Sequence, residues 1–279
     1  MSNTTIKFKL GPSFENYLNT RRKQAQKGNV ASINNSEVKE KARKLFERNF
    51  WLEDNYNSKE DFENDQLKRV QDGDVCATLL YMKSDLKQNI SESSQLSYLK
   101  KYSGIILNNN YSSIDNIEKL PTSGSRAIYI KNGYISNTKS SISKSVDLKI
   151  TYNFRNKHCI FYAAMKYISS NGGHQDNQFN DIILINQQFI KIKNPDIFTL
   201  SILDGEYFSK NNKKKLTDLN NKFKTDRNVC LTSEEVGNYL ISCIIKWLDE
   251  TFEADSKKDE ALLKELNTEI DRLKNLVVK

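Results

Sequence analysis

Apolar residues in the first hundred positions recur at the spacing of an amphipathic helix. Ser36 is suited to cap such a helix, and the apolar positions after it are Val38, Ala42, Leu45, Phe46 and Phe50. The same spacing predicts a second helix over residues 59–70 and a third from Val75 that continues to Leu99. We therefore expect residues 1–100 to form a mainly helical N-terminal region.

Residues 1–35 within that region are polar and carry the cationic cluster Arg21-Arg22-Lys23. Chain ends of this composition are commonly frayed, and a basic segment can also become ordered on nucleic acid. The sequence leaves both interpretations open.

From residue 101 onward the pattern is that of strands mixed with helices. Three apolar residues at helical spacing predict a short helix that ends before Pro121: Ile114, Ile117 and Leu120. Asn132-Gly133 predicts a hairpin between a strand over residues 126–130 and a return strand at Tyr134-Ile135.

A second hairpin is predicted where two apolar strands flank the polar pair Arg155-Asn156. Opposed residues in an antiparallel pair have numbers with a constant sum, so a turn at this pair places Asp147 opposite Ala164. Side chains alternate along a strand, so one face of the hairpin carries Asp147, Lys149, Tyr162, Ala164 and Lys166. The other face carries Val146, Leu148, Phe161 and Met165. A carboxylate and an ammonium group are thereby predicted close together on one face of the sheet.

The elements after this hairpin alternate between helices and strands. The polar run Gly172 to Gln178 leads into a predicted helix over residues 175–185, and a buried strand follows at 198–203. Another strand is predicted at 228–232, with a helix beginning at Glu234. This order predicts an α/β fold in which a central mixed β-sheet is flanked by helices.

The C-terminal segment, residues 254–279, carries apolar residues spaced three and four apart: Leu263, Leu266, Ile270, Leu273 and Val277. This pattern predicts a helix with a coiled-coil seam of about two heptads. So short a seam permits either self-association or packing back on the domain.

Composition narrows the class of protein. Lys and Arg number 43 against 35 Asp and Glu, a net charge of +8 that suits a polyanionic partner but also serves solubility. The four cysteines have no CxxC spacing, which argues against a zinc site or a disulfide framework. No run approaches the ~18 apolar residues of a membrane span, and the start lacks a signal peptide's apolar core, so we expect a cytoplasmic protein.

Residues 101–253 resemble the PD-(D/E)XK nuclease superfamily, and in particular its type II restriction endonucleases. Asp147 matches the first Asp of the family pattern, and Lys166 matches the Lys on the next strand. The acid that the family places two residues before this Lys is Ala164 here. Some members carry that acid in the following helix, where Asp176 is the matching candidate.

This resemblance implies Mg²⁺-dependent, site-specific hydrolysis of phosphodiester bonds in double-stranded DNA by a homodimer. Asp147 and Asp176 would hold the metal, and Lys166 would orient or deprotonate the attacking water. Lys149 shares their face and is the reserve candidate for the catalytic lysine. Glu118, on the helix predicted before Pro121, is a more distant candidate metal ligand.

Contacts to DNA are expected from the polar run and from a lysine cluster further along: His174, Gln175, Asn177, Gln178, Lys213 and Lys214. Three alternatives remain open. Asp147 and Lys166 could form only a structural ion pair across the strands. The chain could bind DNA without cleaving it, or it could be an interaction protein that uses its C-terminal helix.

Overall fold

The computed structural model of the chain gives both backbone and side chains over residues 12–82, 90–102, 117–139, 144–168, 177–208 and 214–275, and backbone alone over 112–116, 173–176 and 213. Contacts between Cα atoms separate two compact units. The smaller unit comprises residues 16–91, and the larger comprises residues up to 15 together with residues 92–279.

The first four helices of the chain form most of the smaller unit: α1 (Phe14–Ala31), α2 (Asn35–Phe46), α3 (Lys59–Gln71) and α4 (Val75–Tyr81). Three of them begin at a residue whose side chain accepts a backbone N–H in the first turn, namely Asn34, Ser58 and Asp74. The helix predicted over residues 59–70 is confirmed as α3.

Three predictions for this region are wrong. The cap of α2 is Asn34, and Ser36 lies inside the helix as the donor to the Asn34 side chain. The terminus predicted to be frayed forms helix α1 over residues 14–31, whereas the other interpretation, ordering on nucleic acid, stays a prediction. The helix predicted from Val75 to Leu99 is two helices, because Met82 ends α4 with an extended backbone, ψ 156°.

The larger unit is organised around a mixed sheet of five described strands: β1 (Ser112–Lys119), β4 (Leu148–Phe154), β5 (Lys157–Tyr167), β6 (Ile197–Asp204) and β7 (Asn228–Leu231). Their spatial order is β1-β4-β5-β6-β7. The first three are antiparallel, whereas β6 and β7 run parallel to β5. A separate hairpin joins β2 (Tyr129–Lys131) to β3 (Tyr134–Ser136), which confirms the predicted turn at Asn132-Gly133.

Helices cover both faces of the five-stranded sheet, which confirms the predicted α/β class. They are α5 (Ile90–Tyr102), α6 (Gly173–Phe189), α7 (Lys213–Phe223), α8 (Val236–Ser256) and α9 (Glu260–Lys274). One face packs against α8 and α9 in a core that includes Trp247 and Leu273. The opposite face packs against α6 through Ile185 and Phe189, and Leu219 of α7 joins a neighbouring cluster with Ile182.

The hairpin of β4 and β5 has the predicted register. Leu148 lies opposite Ala163, and Phe154 lies opposite Lys157, with the turn at Arg155-Asn156. Leu148, Phe161 and Met165 lie together in the core under α8, as predicted. This pairing fixes which side chains leave the sheet on the α6 side.

Val146 was predicted on the same face as Leu148, and this is wrong. Val146 packs with Tyr162 and Ala164 on the α6 side of the sheet. Regular pairing of β4 with β5 begins only at Leu148, and the Asp147 N–H is donated to the carbonyl of Ala163 instead. The alternation of faces is therefore broken at Asp147.

The short helix predicted at residues 114–120 is also wrong, because Ser112–Lys119 is strand β1. β1 pairs along its length with β4, and the register shifts between Ile114 and Asn116. A strand of modest propensity is stabilised here by its neighbour's backbone, which overrides the local three-residue spacing. Glu118 consequently lies on a strand opposite Lys149, not on a preceding helix.

The C-terminal helix α9 packs on the core of the larger unit. Its buried residues are Leu262, Leu266, Glu269, Ile270 and Leu273. Tyr152 of β4 donates a hydrogen bond of 2.6 Å to Glu269 Oε1. Leu263, which the predicted seam included, is 42% exposed, and Val277 lies outside the described residues. None of the helices that the structure describes is both long and apolar enough to cross a membrane.

Candidate active site

A cleft of about 110 Å³ opens where β4 begins and β5 ends, beneath α6. Its lining residues are Thr122, Lys144, Ser145, Asp147, Ala164, Lys166, Asp181, Ile182 and Ile185. The sequence predicted that Asp147 and Lys166 share one face of the sheet, and the structure brings both to this cleft. Lys149 does not line it.

The break in alternation at Asp147 positions its carboxyl group. Asp147 Oδ2 accepts a hydrogen bond of 2.7 Å from the backbone N–H of Met165. The side chain therefore lies across the end of β5, beside Lys166. Among the described residues, none donates a hydrogen bond to Asp147 Oδ1.

The charge of Asp147 is only partly compensated. Burial raises the pKa of its carboxyl group, while the Met165 amide, Lys166 and Lys119 lower it. A carboxylate that has lost water and retains an unpaired oxygen gains from a nearby cation. Asp147 could therefore serve as an oxygen ligand for a positive ion in the cleft.

Lys166 contributes charge to the cleft without a direct ion pair. In the described part of the chain, no N–O contact of 4.0 Å or less joins Lys166 to Asp147, although the Lys166 charge lowers the pKa of Asp147. Lys166 is half-buried, and its neighbour two residues back, Ala164, forms part of the cleft wall. The purely structural ion pair considered from the sequence is therefore not formed.

Asp181 supplies a second carboxylate that the sequence analysis missed. It lies on α6 and forms an ion pair of 2.7 Å with Lys144 at the cleft. A signal was present, because Asp181 is four residues before Ile185, and residues at this spacing share a helix face. Ile185 packs on the sheet, so the carboxylate beside it also faces the sheet.

The other predicted site residues either do not line the cleft or have side chains that the structure does not describe. Lys149 faces Tyr162 and Glu118 across neighbouring strands, and Glu118 is exposed. Asn177 and Lys214 are exposed and Gln178 is half-buried, away from the lining. The predicted side chains outside the described ones are His174, Gln175, Asp176 and Lys213.

The donor set suits a hard divalent cation. Mg²⁺ takes oxygen ligands, retains several waters and needs only one or two carboxylates when a phosphate completes its shell. Asp147 and Asp181 could provide those carboxylates, since both line the cleft and no described residue donates to Oδ1 of Asp147. Within the described side chains, no cluster of three or more His, Cys, Asp or Glu is present.

A buried polar network lies behind the cleft, at the end of β6. Asp204 is 5% exposed and accepts hydrogen bonds from Ser233 N at 3.1 Å, Ser233 Oγ at 2.5 Å and Gln95 Nε2 at 2.6 Å. Burial raises the pKa of Asp204 to about 6, although the bonds from Ser233 and Gln95 oppose this shift. Asp204 directly follows the strand predicted at 198–203, and nothing nearby in the sequence marks it as a buried acceptor, because its hydrogen-bond partners are distant in sequence.

The cleft therefore combines two carboxylates with ammonium groups from Lys144 and Lys166. Carboxylates attract a metal cation, and lysines attract the anionic oxygens of a phosphate ester. The arrangement is chemically suited to a phosphodiester held by a divalent ion. Compared with protein-family models, with curated proteins and with solved structures, the chain gives no match.

Proposed function

We propose that this chain is a Mg²⁺-dependent endonuclease that hydrolyses double-stranded DNA at specific sites, in the manner of type II restriction endonucleases. The observation that carries the proposal is the shared cleft of Asp147, Lys166 and Asp181. A restriction-endonuclease-like PD-(D/E)XK fold is part of the proposal. It is supported by the antiparallel hairpin, the helix that follows it and the two parallel strands beyond.

In this proposal Asp147 and Asp181 hold the metal ion, and Asp176 remains a candidate for a third ligand. Mg²⁺, when bound, lowers the pKa of a water and neutralises charge on the phosphate. Lys166 orients or deprotonates the attacking water and offsets the charge that develops on the phosphoryl oxygens. The water oxygen bonds to phosphorus as the bond from phosphorus to the leaving sugar oxygen breaks, and that oxygen takes up a proton.

Binding of DNA is supported by charge. The net charge of +8 favours a polyanion, and Lys119, Lys144 and Lys166 surround the carboxyl group of Asp147 or line its cleft. A homodimer is part of the proposal, because a twofold axis would present one cleft to each strand of a palindromic site.

The second candidate is a DNA-binding protein without catalysis. It is favoured by Ala164, which occupies the position where the resembling family carries an acid. It is also consistent with the cleft lining, where the described residues include two carboxylates. This candidate predicts binding to DNA that weakens steeply with salt and no cleavage with any divalent metal.

The test is digestion of a mixed-sequence plasmid by the purified full chain, with Mg²⁺ or with a chelator. Discrete fragments that require Mg²⁺ are expected. Lys166→Met should lower the cleavage rate at least about 100-fold, because it removes the group that activates water. Asp147→Asn and Asp181→Asn should each raise the Mg²⁺ concentration needed for cleavage, because each removes a metal ligand.

Lys257→Met is the matched control, since Lys257 is 71% exposed at the end of α8. It should cleave at the wild-type rate. Loss of cleavage in Lys149→Met with retention in Lys166→Met would move the catalytic role to Lys149. Full activity in both Asp147→Asn and Lys166→Met, or salt-sensitive binding without cleavage by the wild type, would refute the nuclease.

A further inference from the structure

The buried network of Asp204, Gln95 and Ser233 lies on the face of the sheet opposite the cleft. Asp204 pairs with Tyr167 across β5 and β6, whereas Lys166 pairs with Leu203. Adjacent residues of a strand point to opposite faces, so the side chains of Lys166 and Asp204 leave the sheet on different sides. The network is thus behind the backbone that carries Lys166.

Gln95 connects this network to that backbone. Its Nε2 donates to Asp204 Oδ2 at 2.6 Å and to the main-chain carbonyl oxygen of Lys166 at 3.2 Å. The two acceptors use both hydrogens of the amide nitrogen. The Ser233 N–H donates to Asp204 Oδ1, and the Ser233 hydroxyl donates to Oδ2, the same oxygen that accepts from Gln95.

This orientation of Gln95 leaves one polar atom without a partner. Gln95 Oε1 is buried and accepts no hydrogen bond from any described residue. The hydroxyl oxygen of the adjacent Ser94 is likewise buried and without a partner among the described residues. An unpaired buried oxygen is unfavourable, and an apolar side chain at this fully buried position would avoid it. The two hydrogen bonds that Gln95 donates, to Asp204 and to the Lys166 carbonyl, are what a glutamine supplies at this position and an apolar side chain would not.

The backbone around Lys166 is held at three successive points. The Asp147 carboxyl group accepts from Met165 N, Gln95 donates to the Lys166 carbonyl, and Ile168 N donates to the Asp204 carbonyl at 2.9 Å. The end of β5 is therefore held from the cleft side by the Asp147 side chain and from the opposite side by the Gln95 side chain, and its last main-chain bond to β6 is made at Asp204. Fixing the main chain on both sides of Lys166 fixes the direction in which its side chain enters the cleft.

We propose that Gln95, oriented by Asp204 and Ser233, is a positioning residue that holds Lys166 in the cleft. The catalytic part of this inference rests on the proposed nuclease, whereas the positioning of the Lys166 amine does not. Groups that support a reacting side chain from behind commonly change turnover without changing binding of the substrate.

The test compares Gln95→Met, which keeps the side-chain length and removes both donors, with Tyr152→Phe. Tyr152→Phe removes a buried hydrogen bond of 2.6 Å to Glu269 on the same sheet, far from the cleft, and controls for a general loss of stability. One readout is the acylation rate of the Lys166 amine relative to the other lysines, followed by mass spectrometry of the full chain. The second is kcat and KM for DNA cleavage.

Gln95→Met should change the acylation rate of Lys166 and lower kcat at least about 10-fold with little change in KM. Tyr152→Phe should change neither. Asp204→Asn should act in the same direction as Gln95→Met, because it turns the Gln95 amide, and it serves if Gln95→Met does not fold.

The positioning role would be overturned if the wild type cleaves DNA and if both Gln95→Met and Asp204→Asn match Tyr152→Phe in the acylation rate of Lys166 and in kcat and KM. A wild type that fails to cleave DNA, combined with altered acylation of Lys166 in Gln95→Met, would refute the nuclease and support the positioning role. The two failures are thereby distinguished.

Discussion

The ionisation of Asp204 makes the stability of the larger unit depend on pH. Its carboxyl group is almost fully buried, and its pKa is raised from 3.8 to about 6, with the charge of Glu234 adding to the effect of burial. Between these two values the folded chain holds a proton that the unfolded chain has released. The contribution of Asp204 to stability therefore falls as the pH rises through this window and changes little above it.

The size of the effect follows from the shift. Each unit of pKa corresponds to about 1.4 kcal/mol, so the ionised carboxylate of Asp204 destabilises the fold by roughly 3 kcal/mol relative to its neutral form. Asp204→Asn stays neutral at every pH. The free energy of unfolding of the variant minus that of wild type should therefore rise by about 2 kcal/mol between pH 4 and pH 7, because part of the full effect falls below pH 4.

Urea unfolding at a series of pH values measures this difference. A Trp51→Phe background leaves Trp247, which is 1% exposed in the core of the larger unit, as the fluorescent reporter. The many exposed carboxylates titrate equally in both proteins and cancel in the difference. A difference that stays constant from pH 4 to pH 7 would show that Asp204 is already ionised in the fold at low pH and would refute the reasoning.

Two further predictions concern packing. Gly205→Ala should destabilise the larger unit by about 3 kcal/mol or more, because a Cβ at φ +102° would lie 2.2 Å from the Ile168 carbonyl oxygen. Gly124→Ala is its control, because Gly124 has φ +90° and no atom beyond its chain neighbours lies within 4 Å of an added Cβ. An equal loss of stability in both variants would attribute the loss to backbone strain and contradict a contribution from the clash with Ile168. Leu273→Ala should cost about 2–5 kcal/mol in urea unfolding, since Leu273 is fully buried in α9, whereas Leu263→Ala should cost well under 1 kcal/mol at its exposed position. Equal effects of the two leucine changes would contradict the packing of α9 on the sheet.

The register of the β4–β5 hairpin was predictable because it depends on local information. A polar turn at Arg155-Asn156 and two alternating rows of side chains allow only one pairing that buries one apolar row. That pairing was enough to bring Lys166 toward Asp147. It failed at Val146, since the backbone departs from the strand at Asp147 to let the carboxyl group bind the Met165 amide.

β1 shows the opposite case. The spacing of its apolar residues matches a helix, and its backbone is held by pairing with β4, a strand about thirty residues away. The local spacing of residues cannot reveal such a partner, because the hydrogen bonds that stabilise β1 are made with another strand. Glu118 was considered as a metal ligand on a helix before the sheet, but it lies on strand β1 opposite Lys149 and does not line the cleft.

The sequence by itself determined most of the periodic elements, the turn at Asn132-Gly133 and one pair of oppositely charged side chains, because each depends on residues a few positions apart or on one hairpin register. Only the tertiary structure decided that Asp181 joins this pair and that Gln95 and Asp204 support it from behind. Those residues come from α6, α5 and β6, and their contacts form when helices pack on the two faces of the sheet. The sequence shows that a carboxylate or an amide is present, but not whether water or a buried hydrogen-bond donor surrounds it. Its free energy in the folded chain depends on that environment, which only the packing of the helices on the sheet creates.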